Sequence, residues 1–183
     1  MPFTFKKLEL SGLVLIQPQI FNDERGFFAE TFKESEFLKQ GINLSFKQDD
    51  LTLSKKNVLR GLHYQVGPKA QGQMVQVIKG KIWDVAVDIR EKSPTFKQWV
   101  SVELNEENHC GLYMPPGIAH GFVVLSEEAC LYYKCSAEYD PSVERGIRWD
   151  DPELAIEWPI IDPIVSGKDA ALPLLKDAEV FHA

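Results

Sequence analysis

The sequence predicts an all-β domain, a jelly roll or sandwich with short peripheral helices. Three observations carry this. Runs in which apolar and polar residues alternate recur through the chain at intervals of roughly ten residues. Glycine, proline, asparagine and aspartate separate them. Only short stretches have a helical pattern. A length of 183 residues suits one domain with a sizeable core.

The elements follow in order. Residues 13–16 read as a strand. Asn22-Asp23-Glu24-Arg25-Gly26 reads as a turn and 27–32 as the next strand. Residues 34–40 form a short helix that Gly41 ends. Residues 48–53 and 58–65 are strands. The strongest β signal is 74–78, running through Lys79-Gly80-Lys81 into 82–89, and it predicts a hairpin. In its second arm Trp83, Val85, Val87 and Ile89 share one face, and Asp84 and Asp88 the other. Residues 99–104, 109–114, 121–125 and 130–137 supply further strands. Beyond Pro141 the chain is rich in proline and aspartate. Short helical pieces are expected at 152–155 and 170–176, and 141–183 reads as a C-terminal wrap over the barrel.

The net charge of −7 and the pI near 5.1 argue against nucleic acid as a partner. Any phosphate must be met by individual basic side chains. Cys110, Cys130 and Cys135 have no C-x-x-C spacing, which predicts reduced, mostly buried thiols. No apolar run approaches the ~18 residues of a membrane span, and the first residues lack a signal-peptide pattern. The expectation is a cytoplasmic protein with no membrane partner.

The chemistry concentrates in Arg60-Gly61-Leu62-His63-Tyr64-Gln65. Strict strand alternation would put Arg60, Leu62 and Tyr64 on one face and Gly61, His63 and Gln65 on the other. A fixed cation and a titratable base then adjoin one pocket wall. A second run, Gly111 to Phe122, passes through Pro115-Pro116-Gly117 and opens a new strand near His120. Of the other two histidines, His109 is expected to be exposed and His182 lies in the tail. Tyr133 alternates with Leu131 and Cys135 and can point inward, whereas Tyr132 should face a core on the other side. Arg90 and Lys92 are expected in a solvated loop. Polar residues pointing inward from several strands imply a partly wet interior, with room for a ligand in its mouth. Metal chemistry is not expected. It would need a His-x-His pair with further ligands, and only His63 and His120 are suitably placed.

The chain resembles the dTDP-4-dehydrorhamnose 3,5-epimerases, nucleotide-sugar enzymes with a cupin-like jelly-roll β-barrel. The resemblance spans nearly all of it. It rests on 23–30, 58–65, Ala70-Gln71-Gly72, 84–90, 116–122, 131–134 and Ser166-Gly167-Lys168-Asp169. It implies a base at His63, oriented by Asp169 and assisted by His120, and an acid at Tyr133. It implies substrate contacts from Arg25, Glu30, Gln48, Arg60, Glu144 and Lys168, with Tyr139 stacked on the thymine. It also implies a homodimer whose N-terminal strands, about residues 1–35, are exchanged, so that Phe21, Arg25 and Glu30 serve the neighbour's pocket. No cofactor is implied.

Two substrate-facing positions depart from the family pattern. Asp50 stands where asparagine is usual, and Gln73 where a lysine thought to stabilise an enolate is usual. Whether another cation, such as Lys69 or Lys79, replaces that lysine is left open by the sequence.

The expected function is cofactor-independent 3,5-epimerisation of dTDP-4-dehydro-6-deoxyglucose to the rhamnose precursor. The C–H bonds beside a ketone are acidic. Histidine titrates near neutrality and suits their removal, and tyrosine stays protonated and suits proton return. One alternative is an epimerase acting at C3 or C5 alone on another nucleotide 4-keto sugar. A second is a sugar-nucleotide-binding cupin without turnover.

Overall fold

The computed structural model describes residues 2–43 and 45–182. Strands dominate. In chain order they are β1 (Phe3–Lys7), β2 (Val14–Pro18), β3 (Ile20–Asp23), β4 (Gly26–Ala29), β5 (Gln48–Lys55), β6 (Val58–Gln65) and β7 (Gln73–Lys79). They continue as β8 (Lys81–Asp88), β9 (Trp99–Asn105), β10 (Gly111–Met114), β11 (Ile118–Val124), β12 (Glu128–Cys135), β13 (Glu144–Gly146) and β14 (Ile164–Val165). The helices are α1 (Glu34–Leu38) and α2 (Gly167–Ala170).

Two sheets pack face to face as a jelly roll that does not close. The first has the order β1-β2-β10-β7-β12-β5. The second has the order β13-β6-β11-β8-β9, with β14 added parallel to β6. β3 and β4 form a separate hairpin with Glu24 and Arg25 at its tip.

Alternation builds the core between the sheets. Val75, Val77, Leu112 and Leu131 from the first meet Ile82, Ala86, Phe122 and Val124 from the second. As predicted, Trp83, Val85, Val87 and Ile89 share a face. They pack outward against Leu154, Trp158 and Leu175 of the C-terminal wrap. Under α1, Phe37 packs against Phe3 and Phe32.

Several expectations are corrected. β7 and β8 are not a hairpin: β7 pairs with β10 and β12, and β8 with β9 and β11. Gly80, at φ +81°, turns the chain from one sheet into the other. The strand predicted at 27–32 ends at Ala29, and residues 20–23, read partly as turn, are strand. β11 begins at Ile118, so His120 lies inside it. Residues 152–155 form a turn, held by Ala155 N–H donating to Asp151 C=O at 2.9 Å, and not a helix. The helix expected at 170–176 divides into α2 and a 3-10 turn at Leu175–Asp177.

Arg90 is not in a solvated loop. Its guanidinium pairs with buried Asp88 at 2.7 Å, and Ser93 and Thr95 also donate to that carboxylate. Tyr132 is half-buried beside Lys134 on an outer face, not in a core. His109 is half-buried against the Phe27 ring. The cysteines are free, with Cys110 and Cys135 buried.

Candidate active site

A cavity of about 470 Å³ opens between the sheets. The first sheet contributes Gln48 and Asp50 from β5, Gln73 from β7, and Tyr133 and Cys135 from β12. The second contributes Arg60 and His63 from β6 and His120 from β11. Tyr139 and Glu144 border the mouth.

Arg60 and His63 are three residues apart, yet both line this cavity. Simple alternation would put them on opposite faces. The register explains the difference: His120 pairs with His63, but Phe122 pairs with Arg60. Two steps along β11 therefore match three along β6, which is a β-bulge. Gly61 supplies it, at φ +123°, and a Cβ there would sit 2.5 Å from the Cα of Gly121. The bulge overturns the predicted partition of the run and leaves Leu62 fully buried.

Each cavity histidine has a carboxylate behind it. His63 Nε2–H donates to Asp169 Oδ1 at 2.9 Å, and His120 Nε2–H donates to Asp84 Oδ2 at 2.8 Å. Burial pushes the Asp169 carboxyl up. The His63 contact and the Gly61 N–H outweigh that and hold it below the usual range. An ionised carboxylate only accepts, so it fixes the His63 proton on Nε2 and leaves the Nδ1 lone pair unused. α2 places Asp169: Ser166 caps its N-terminus, accepting from Asp169 N–H at 3.0 Å. Asp84 comes from the polar face of β8. Sequence reasoning gave it no role at the site, because only the pairing of β8 with β11 brings it to His120.

Tyr133 sits at the floor, with its ring 6.1 Å from that of His120. Burial first, and then the Asp84 carboxylate, push its phenol well above the usual range, so it stays protonated. It lines the cavity, and no hydrogen bond from its hydroxyl to another described residue is formed. Arg60 Nε donates to Ser54 Oγ at 3.0 Å, which ties it to β5.

At that mouth Glu144 accepts from Tyr139 Oη at 2.8 Å and from Lys168 Nζ at 2.6 Å. Burial raises the Glu144 carboxyl, and these two donors more than reverse the effect. Gln48 donates to both Asp50 oxygens through Nε2 and accepts from Tyr139 N–H through Oε1. Gln73 Nε2 donates to Gln71 Oε1 at 3.0 Å. Lys69 pairs with Asp140 and Lys79 with Glu128, and neither lines the cavity.

Phe21, Arg25 and Glu30 do not line the cavity of their own chain. Phe21 is exposed on the β3–β4 hairpin, Arg25 folds back onto Asp23, and Glu30 lies 3.7 Å from Lys33. Among the described residues, no group of three or more His, Cys, Asp or Glu is placed to hold a metal ion.

Comparison with known proteins identifies this arrangement. The family model described as dTDP-4-dehydrorhamnose 3,5-epimerase matches residues 7–177. The protein of that name from Salmonella typhimurium is 49% identical over 174 residues, covering 94% of this chain and 95% of that one. The one from Methanothermobacter thermautotrophicus is 44% identical over 182 residues, 98% of each. The crystal structure of the dTDP-6-deoxy-D-glucose-3,5-epimerase from Legionella pneumophila, in complex with dTDP-4-keto-L-rhamnose, superposes with a TM-score of 0.95. It is 44% identical and covers 99% of this chain and 98% of that one. With a cupin-type jelly roll and full-length similarity on both counts, this chain belongs to the dTDP-4-dehydrorhamnose 3,5-epimerases, a family of isomerases.

Proposed function

We propose that the protein epimerises dTDP-4-dehydro-6-deoxyglucose at C3 and C5 through an enolate, with His63 as base and Tyr133 as acid. The observation that carries this is one cavity bounded by the His63–Asp169 pair and by the half-buried Tyr133 phenol, whose surroundings keep it protonated. His63 Nδ1 takes the proton from carbon, and Asp169 stabilises the imidazolium that results. Electrons from the broken C–H bond move onto the C4 oxygen. Tyr133 then protonates the carbon from the opposite face. Arg60 anchors a phosphate, with Lys168 and Glu144 at the mouth, and Tyr139 covers the base.

The active form is a homodimer in which the β3–β4 hairpin reaches the neighbour's mouth. Its exposure supports this: Phe21, Phe27 and Phe28 are all largely uncovered. So does the absence of Arg25 and Glu30 from the lining of their own chain's cavity.

Incubation with the 4-keto sugar in D2O, followed by NMR, tests the reaction. Label at both C3 and C5 is expected. Label at one carbon would make this a single-site epimerase, and label at neither would leave a binding protein.

A further inference from the structure

Asp50 has an odd position for an acid. It stands opposite Tyr133 in the β5–β12 register, and both side chains line the cavity. Directly opposed side chains in an antiparallel pair have Cβ atoms roughly 5 Å apart. If Tyr133 reaches the carbons flanking a ketone, Asp50 borders the same part of the sugar.

The protein's own contacts do not use the charge. The Asp50 carboxylate accepts from Gln48 Nε2 at 3.0 and 2.8 Å, and from the Cys135 thiol at 3.8 Å. A neutral amide oxygen would keep one of the two Gln48 contacts, and no cation of the same chain faces the carboxylate. Asp50 is exposed in the single chain and forms no ion pair there among the described residues, and Arg60 is the one lysine or arginine of its own chain lining the cavity. Gln73, close by on β7, is neutral.

This has a consequence for the chemistry. An unpaired carboxylate repels the negative charge that grows on the C4 oxygen during proton removal. It can only accept hydrogen bonds, so the substrate group facing it must donate. A substrate carrying its own cation beside the ketone resolves both demands. In a 6-deoxy 4-keto hexose, C5 bears a methyl group, and C3 is the flanking carbon with a polar substituent.

We infer that Asp50 makes this pocket selective for a nucleoside-diphosphate 4-keto sugar with an amino group at C3, held as its ammonium. The inference rests on the epimerase reading and changes its preferred substrate, with an amino group in place of the C3 hydroxyl. The C3–H is still the bond broken and re-formed. The ammonium pairs with Asp50 and offsets the enolate charge.

Binding and turnover test it separately. Calorimetry at low ionic strength would compare two stable, non-keto ligands, dTDP-6-deoxyglucose and its 3-amino-3-deoxy counterpart, on the wild type and on Asp50→Asn. A charge-assisted contact predicts about tenfold tighter binding of the amino sugar to the wild type, falling to near parity in the variant. Equal affinity of the wild type for the two overturns the inference without using the variant, and so does a preference that survives Asp50→Asn. Deuterium exchange with the two matching 4-keto sugars then separates the readings. Exchange of the hydroxy sugar alone leaves the epimerase intact and removes the amino selectivity. Exchange of neither removes both.

Discussion

Arg60 and His63 face the same cavity although three residues separate them on one strand. The extra residue at the Gly61 bulge makes this possible, and it also brings the Gly61 N–H to 3.3 Å from Asp169 Oδ2. One irregularity therefore positions the cation, the base and the carboxylate behind the base. Substituting Gly61 would force a Cβ into Gly121, so the site depends on a backbone that only glycine fits.

His63→Ala is expected to abolish exchange at both C3 and C5. Loss of a general base typically costs ~10²–10⁴-fold. Nucleotide affinity should survive, because Arg60 and the groups at the mouth remain. Turnover above about a tenth of wild type would exclude His63 as the base.

Tyr133→Phe should separate the two halves of the reaction. The ring still fills the floor, but no hydroxyl returns a proton. First C–H exchange is expected to persist while inverted product falls. Product NMR alongside deuterium incorporation measures both. Equal losses would mean that Tyr133 positions the sugar and does not protonate it.

Much of this architecture was legible in the sequence. Nine of the β-strands of the two sheets, β2 and β5 to β12, overlap the runs that predict them, because most are buried on one face and the pattern reports burial. Pairing was not legible. Gly80 looks like a hairpin turn, but whether the strand after a turn joins the same sheet or the facing one depends on partners far along the chain. β13 and β14 are three and two residues long and exist only because β6 offers them an edge. At the site, residue types pointed to His63, His120 and Tyr133. Asp84 behind His120, and the turn of face at Gly61, required the three-dimensional register.

Asp169 should make stability sensitive to acid. Its folded-state pKa lies below the ordinary value, so its contribution is present above that value and is lost as pH falls through the folded one. Between about pH 5 and pH 3 the wild type should lose more unfolding free energy than Asp169→Asn does. Urea titrations at the two pH values measure the difference. Parallel losses would mean that other carboxylates carry the acid response.

Mixed subunits test the exchanged hairpin. Alone, Arg25→Ala chains should be weakly active and His63→Ala chains inactive. Refolded together, a heterodimer would contain one cavity with both defects and one with neither. Recovery toward a quarter of wild-type activity is the expected order of magnitude for random pairing. A mixture no more active than its components would place Arg25 in its own chain's function.

Gln73 offers the last test. Its amide lines the cavity and is tied to Gln71, and neither Lys69 nor Lys79 lines the cavity to supply a charge in its place. A neutral donor stabilises an enolate oxygen less than an ammonium does, and losing one such stabiliser can cost ~3 kcal/mol, or about 10²-fold. Gln73→Lys is therefore expected to raise kcat on dTDP-4-dehydro-6-deoxyglucose. The introduced charge also lies on the cavity side of β7, within the wall that carries Asp50, so it should weaken any preference for a cationic sugar. Steady-state kcat on the hydroxy sugar, read beside the amino-to-hydroxy affinity ratio, separates these effects. If the variant is equal or slower on the hydroxy sugar, another group already stabilises the enolate, or the amide serves to recognise a different sugar.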